Sequence, residues 1–171
     1  MELLPLALER LRRSADAIEV LARGLPLEAA RWKPAPDRWS VLEVVCHLAD
    51  EEVEDFRTRI ALTLRDPTAA WSPIDPPRWA VERRYQEQPL SASLARFLSE
   101  RATSLSWLAA QREAKWDNVH QHPKAGPFTA RMLLANWMAH DLLHLRQISR
   151  LQYEALAAGS GEKLDYAGPW T

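Results

Sequence analysis

His140 and His144 stand four residues apart in the segment His140-Asp141-Leu142-Leu143-His144. On an α-helix this spacing puts both imidazoles on one face, about 6 Å apart along the axis and about 40° apart in azimuth, so they can converge on one metal ion. The pair alone also fits two helix histidines with no common task. A third ligand has to come from elsewhere, and His47 is the best candidate, since its neighbours are Val44, Val45, Leu48 and Val53. A lone histidine beside an apolar face is more often a hydrogen-bonded packing residue. The residue after His140 is Asp141, so the His-Glu-x-x-His pattern of a zincin-type protease is absent. Three neutral imidazoles would leave coordination positions open, as in catalytic zinc sites, and an ion there lowers the pKa of a water or thiol that it binds. Nickel, zinc, copper and iron all suit such a ligand set.

Other polar residues lie near these three in the sequence. Glu51 is one turn beyond His47 and Glu54 continues that edge; either could orient an imidazole, act as a base or complete the metal shell. Asp50 and Glu54 fit a solvated acidic face near Arg57 and Arg59 equally well. Asn136, one turn before His140, suits a hydrogen bond near the site or a polar edge of a bundle. Cys46 adjoins His47, but neighbouring helix residues point about 100° apart, which makes it a packing residue. His120 and His122 fall in a stretch with Pro and Gly and read as structural, His122 being the better placed to approach the site.

The elements that must position these side chains are helices. Leu4, Leu8, Leu11, Ala15, Ile18 and Ala22 form one stripe, predicting a helix over about 4–23 that Gly24 and Pro26 stop. Ser40-Val41-Leu42-Glu43 is a capping box, predicting a helix over 40–65 that ends at Asp66-Pro67. Residues 66–89 are rich in proline and tryptophan, a long connection suited to a lid or pocket wall, with a short helix within 79–88. Leu94, Leu98, Leu105 and Leu108 predict a third helix over 91–112, and residues 120–127 read as a loop. The fourth helix, over about 130–157, is apolar on more than one side, which calls for neighbours all round or a second subunit. The tail from Gly159 reads as irregular. No β-like alternation stands out, so the expectation is one all-α domain over 1–171, an antiparallel four-helix bundle with a long crossover.

Composition narrows the function. The 171 residues carry a net charge of −1 with acids and bases interspersed, which is not the basic footprint of a nucleic-acid binder. The longest near-apolar stretches fall far short of the ~20 residues that span a bilayer. Acidic Glu2 stands where a signal peptide would be basic, and the single cysteine fits a reducing cytoplasm. Eight tryptophans are enough to fill gaps between helices and to line a pocket or subunit contact.

The stretch from Pro36-Asp37-Arg38-Trp39-Ser40 through His47-Leu48-Ala49-Asp50 resembles the first signature of the DinB/YfiT-like superfamily. His122-Pro123, Gly126, Thr129, His140, His144 and Gln147-Ile148 resemble its second. Order and spacing agree over nearly the whole chain, apart from residues 66–90. The resemblance implies a bundle that is frequently a homodimer and holds nickel, zinc or a similar divalent ion on His47, His140 and His144. It further implies a metal-dependent transferase acting on small electrophiles with a low-molecular-weight thiol such as bacillithiol or mycothiol. A metal-dependent hydrolase and a non-catalytic metal-binding bundle are the alternatives. With Cys46 as the only protein thiol, a thiolate nucleophile would have to arrive with a cosubstrate. Trp71, Trp79 and Tyr85 could then wall the substrate, and Arg78, Arg83 and Arg84 could bind acidic groups of the cosubstrate. A base at the open metal position would favour hydrolysis, a cleft with cationic walls a thiol, and a fourth protein ligand a non-catalytic site.

Overall fold

A computed structural model describes residues 2–170. Four long helices carry the chain: α1 (Leu3–Ala22), α3 (Val41–Glu51) with its continuation α4 (Arg57–Arg65), α6 (Leu90–Ala109) and α7 (Ala130–Ser160). A π-helical turn, Glu52–Phe56, joins α3 to α4; α2 (Leu27–Arg31) and α5 (Pro76–Glu82) are short.

Two apolar clusters reveal how the helices run. One unites Ile18 and Ala22 of α1 with Leu42 and Val45 of α3, Leu94 and Phe97 of α6, and Ile148 and Leu151 of α7. The other unites Ala7 and Leu11 of α1 with Phe56 of the π-turn, Ile60 of α4, Leu108 of α6, and Leu133, Leu134 and Trp137 of α7. The course is therefore up, down, down, up. Both α1 and α3–α4 pack against α6 and α7, so they lie across the bundle from each other. Because α4 and α6 run in the same direction, the chain between them must return the full length of the bundle. That is why residues 66–89 form a long crossover.

The capping box fixes where α3 begins. Ser40 Oγ accepts from the Glu43 amide at 3.2 Å, and the Ser40 amide donates to Glu43 Oε2 at 2.8 Å. Gln86 Nε2, from the crossover, donates to both Ser40 Oγ and Glu43 Oε2 at 2.9 Å. Since His47 follows two turns later, this cap also sets the direction in which its imidazole points.

Several expectations need correction. Asp50 is not on a solvated face: it is fully buried, accepting from the Tyr85 hydroxyl and pairing with Arg83 and Arg96. Residues 120–127 are not an open loop, for Val119–His122 and Gly126–Thr129 pair as antiparallel strands β1 and β2. Strands of four residues are too short for a period of two to register, and the turn depends on Gly126 at φ 85°. α6 stops at Ala109 rather than near 112 because its apolar stripe ends at Leu108. α7 runs three residues past 157, to Ser160, where Gly161 at φ 67° provides the left-handed cap. Among the described residues no helix is long and apolar enough to cross a membrane.

Candidate metal centre

His47 lies near the middle of α3, and His140 and His144 lie mid-way along α7, which runs antiparallel beside it. Their imidazoles meet between the two helices. His140 Nε2 is 3.3 Å from His47 Nε2 and 3.1 Å from His144 Nε2, and the three ligand atoms lie within 4.8 Å of one another. Two nitrogens held about 2.1 Å from a common ion stand about 3.4 Å apart in a tetrahedral shell and about 3.0 Å apart in an octahedral one. The two separations from His140, 3.3 and 3.1 Å, fall in that window, while the His47–His144 pair is wider. One shared proton cannot lie straight between both close pairs, so the donor set suits an ion better than a hydrogen-bond network.

The outward-facing ring nitrogens support the same reading. His144 Nδ1 donates to Gln147 Oε1 at 2.8 Å, which leaves the Nε2 lone pair facing the cluster. His47 Nδ1 is 3.6 Å from Glu51 Oε1, and both atoms are buried without a hydrogen-bond partner. Glu51 thus stands behind His47, where a carboxylate orients a ligating imidazole, and away from the side that Nε2 faces. Burial pushes the pKa of His47 down to about 2 and that of His140 to about 3, with neighbouring imidazoles adding to the effect. Burial also lowers His144. All three are therefore neutral near pH 7, the state that binds metal. Burial raises the Glu51 carboxyl, and a hydrogen bond with Asp55 raises it further.

Aromatic rings wall the centre. The Trp39 ring lies 4.8 Å from that of His47, and Phe56, stacked on Trp137, lies 5.1 Å from the His140 ring. His47 is buried, whereas His140 and His144 are half-buried, so access is from the α7 side. Beneath His140 lies a buried ionic cluster. Arg101 forks onto Asp141 at 2.6 and 2.8 Å, donates to Glu52 Oε1 at 2.9 Å, and reaches the Leu11 carbonyl at 2.7 Å. Trp137 Nε1 also donates to Glu52 Oε1, at 3.1 Å. The cluster ties α1, the π-turn, α6 and α7 together next to His140. Sequence reasoning missed it, yet a signal existed: Arg101 interrupts the leucine stripe of α6 at an apolar position.

The other candidates lie elsewhere. Arg78 is exposed and pairs with Glu82 at 2.7 Å. Arg83 bridges Asp50 and Glu54 and lies over the Trp79 ring, while Arg84 pairs with Glu87. All three arginines thus face carboxylates of the chain itself. Tyr85 is buried against Asp50. His120 stacks on Trp71 at 4.0 Å and bonds the Pro67 carbonyl, pinning the start of the crossover. His122 Nδ1 accepts the amides of Lys124 and Ala125 within the hairpin turn. Asn136 bonds the Met132 carbonyl, and the Cys46 thiol bonds Ser93.

The family model of the DinB superfamily matches residues 10–148. The chain belongs to the DinB superfamily. The DinB match spans all three histidines together with Gln147. Among solved structures, YfiT from Bacillus subtilis superposes with a TM-score of 0.78 at 19% identity, covering 94% of this chain and 89% of its own. That protein is described as a probable metal-dependent hydrolase with an unusual four-helix bundle topology. At this identity the likeness establishes the DinB fold. No curated protein matches the chain significantly.

Gln147 offers an early test. Gln147→Leu removes the acceptor that fixes His144, and the expected result is roughly 10–100-fold weaker zinc binding in a chelator competition, with unfolding unchanged. Unaltered affinity would mean that Gln147 does not orient a ligand.

Proposed function

We propose that His47, His140 and His144 hold a divalent ion, nickel or zinc, and that the chain is a metal-dependent transferase joining a low-molecular-weight thiol to a small electrophile. The observation that carries this reading is the convergence of three neutral imidazoles with no fourth His, Cys, Asp or Glu in the cluster among the described residues. Bound there, the ion supplies a Lewis acid with open positions, which lowers the pKa of a thiol or water that reaches it.

The chain's own groups do the positioning. Gln147 and Glu51 orient His144 and His47 from behind, while Trp39 and Phe56 keep water from two sides. Glu51 faces Nδ1 of His47, so it serves as an orienting group, and among the described residues no carboxylate joins the three histidines to act as a base. This favours a nucleophile that needs no protein base, because a thiol ionises far more readily than water. In the transfer, sulfur displaces a leaving group from carbon and the thiol proton passes to solvent. Hydrolysis is the second reading, favoured by the description of the YfiT structure. A homodimer in the cytoplasm completes the proposal; Met132, Leu142 and Leu156 expose apolar surface on α7 that a second copy would cover.

The test is a panel assay on zinc- or nickel-loaded protein with bacillithiol, mycothiol or glutathione and a chloroaromatic electrophile. The expected result is metal-dependent consumption of at least one thiol. Ester or amide cleavage without thiol would move the assignment to hydrolase, and inertness throughout would make it a binding protein.

A further inference from the structure

On the outer side of α7 a groove of about 470 Å³ is lined by Arg38, Leu143, Arg146, Gln147, Arg150 and Trp170. Half of this lining is arginine, in a chain whose net charge is only −1. Arg150 pairs with Glu154 at 2.7 Å, but among the described residues neither Arg38 nor Arg146 forms a salt bridge. Trp170 closes the groove from the tail side, stacked on Tyr153 with ring centroids 5.0 Å apart.

Two residues join the groove to the histidine cluster. Gln147 is a shared wall, lining the groove while its oxygen holds His144 Nδ1. Arg38 immediately precedes Trp39, whose ring packs against His47. The groove also lies on the α7 side, where His140 and His144 are only half-buried. Guanidinium groups bind carboxylate and phosphate oxygens through paired charge-assisted hydrogen bonds, and two unpaired ones in one concavity have no internal partner to displace.

We infer that this groove binds the carboxylate or phosphate group of an anionic small molecule, with Arg38 and Arg146 as the recognising residues. Its service as a substrate subsite rests on the proposed metal centre; its ability to bind an anion does not. A molecule anchored there by its acid group extends past Gln147 toward the histidines, so the groove selects acidic substrates or cosubstrates over neutral ones.

The test is calorimetric titration of the full chain, zinc-loaded and metal-free, at low ionic strength, with succinate in one arm and inorganic phosphate in the other. The expected result is saturable binding of at least one anion in both forms. It weakens by roughly tenfold or more in Arg38→Gln/Arg146→Gln. The charge-matched Arg10→Gln/Arg65→Gln variant, altered at exposed sites elsewhere, changes it by less than about twofold. Preference for one anion names the group recognised. Equal weakening in both double variants, absence of binding, or binding only to the zinc-loaded form would overturn the inference, the last because the ion itself would then be the anion site. Zinc content of the wild type decides the metal centre separately.

Discussion

Replacing Arg101 with alanine is expected to destabilise the protein by about 3–5 kcal/mol, measured as urea unfolding. Arg101 is 1% exposed, and its guanidinium is the cation facing both Glu52 and Asp141. Removing it leaves two carboxylates in a dry interior, and the cost of an unpaired buried charge exceeds what the pair contributes while intact. The packed Trp137 also loses definition, because its indole N–H shares the Glu52 oxygen that Arg101 holds. Since Asp141 adjoins His140, weaker zinc binding should accompany the loss even though Arg101 touches no proposed ligand. A loss below about 1 kcal/mol would show that the cluster is not a structural anchor.

Glu51→Gln should act in opposite directions on the metal-free and metal-loaded protein. Burial and Asp55 raise the Glu51 carboxyl above its ordinary value of 4.5, so the folded state keeps a proton that the unfolded chain releases. The folded state then binds more protons, and this group's contribution to stability falls as pH rises above 4.5. Glutamine has no proton to hold. The metal-free variant is therefore expected to be more stable than wild type by roughly 1–3 kcal/mol at pH 8, with the advantage fading toward pH 5. With zinc present the sign reverses: His47 Nδ1 loses its carboxylate, and affinity should drop about 10–100-fold. Paired melts and chelator competitions across pH measure both effects. An advantage over wild type that is no larger at pH 8 than at pH 5 would refute the buried-proton account of Glu51.

Much of the architecture was legible because its signals are local. The Ser40–Glu43 box places the start of α3 at Val41, and the stripe from Leu4 to Ala22 predicts α1 to within a residue at each end. The four-residue spacing of His140 and His144 becomes the shared helix face it implies. Pairings made across the fold were not legible. Asp50 reads as a surface acid until the crossover brings Tyr85 and Arg83 onto it. Arg78, Arg83 and Arg84 stand in the crossover, where a cationic wall would suit an acidic cosubstrate, yet carboxylates of the chain itself occupy them. Arg38 and Arg146, far apart in sequence, share a groove only because α7 passes the loop that precedes α3. The hairpin strands were too short to announce themselves, and their position depends on Gly126 at positive φ.

Metal content tests the central claim most directly. Wild type and the His47→Ala, His140→Ala and His144→Ala variants are reconstituted with zinc or nickel, dialysed, and analysed for metal per chain. The wild type should hold about one ion per chain, and each variant should lose nearly all of it while remaining helical by circular dichroism. Stoichiometric metal in any of the three variants, or none in the wild type, would contradict the three-histidine centre.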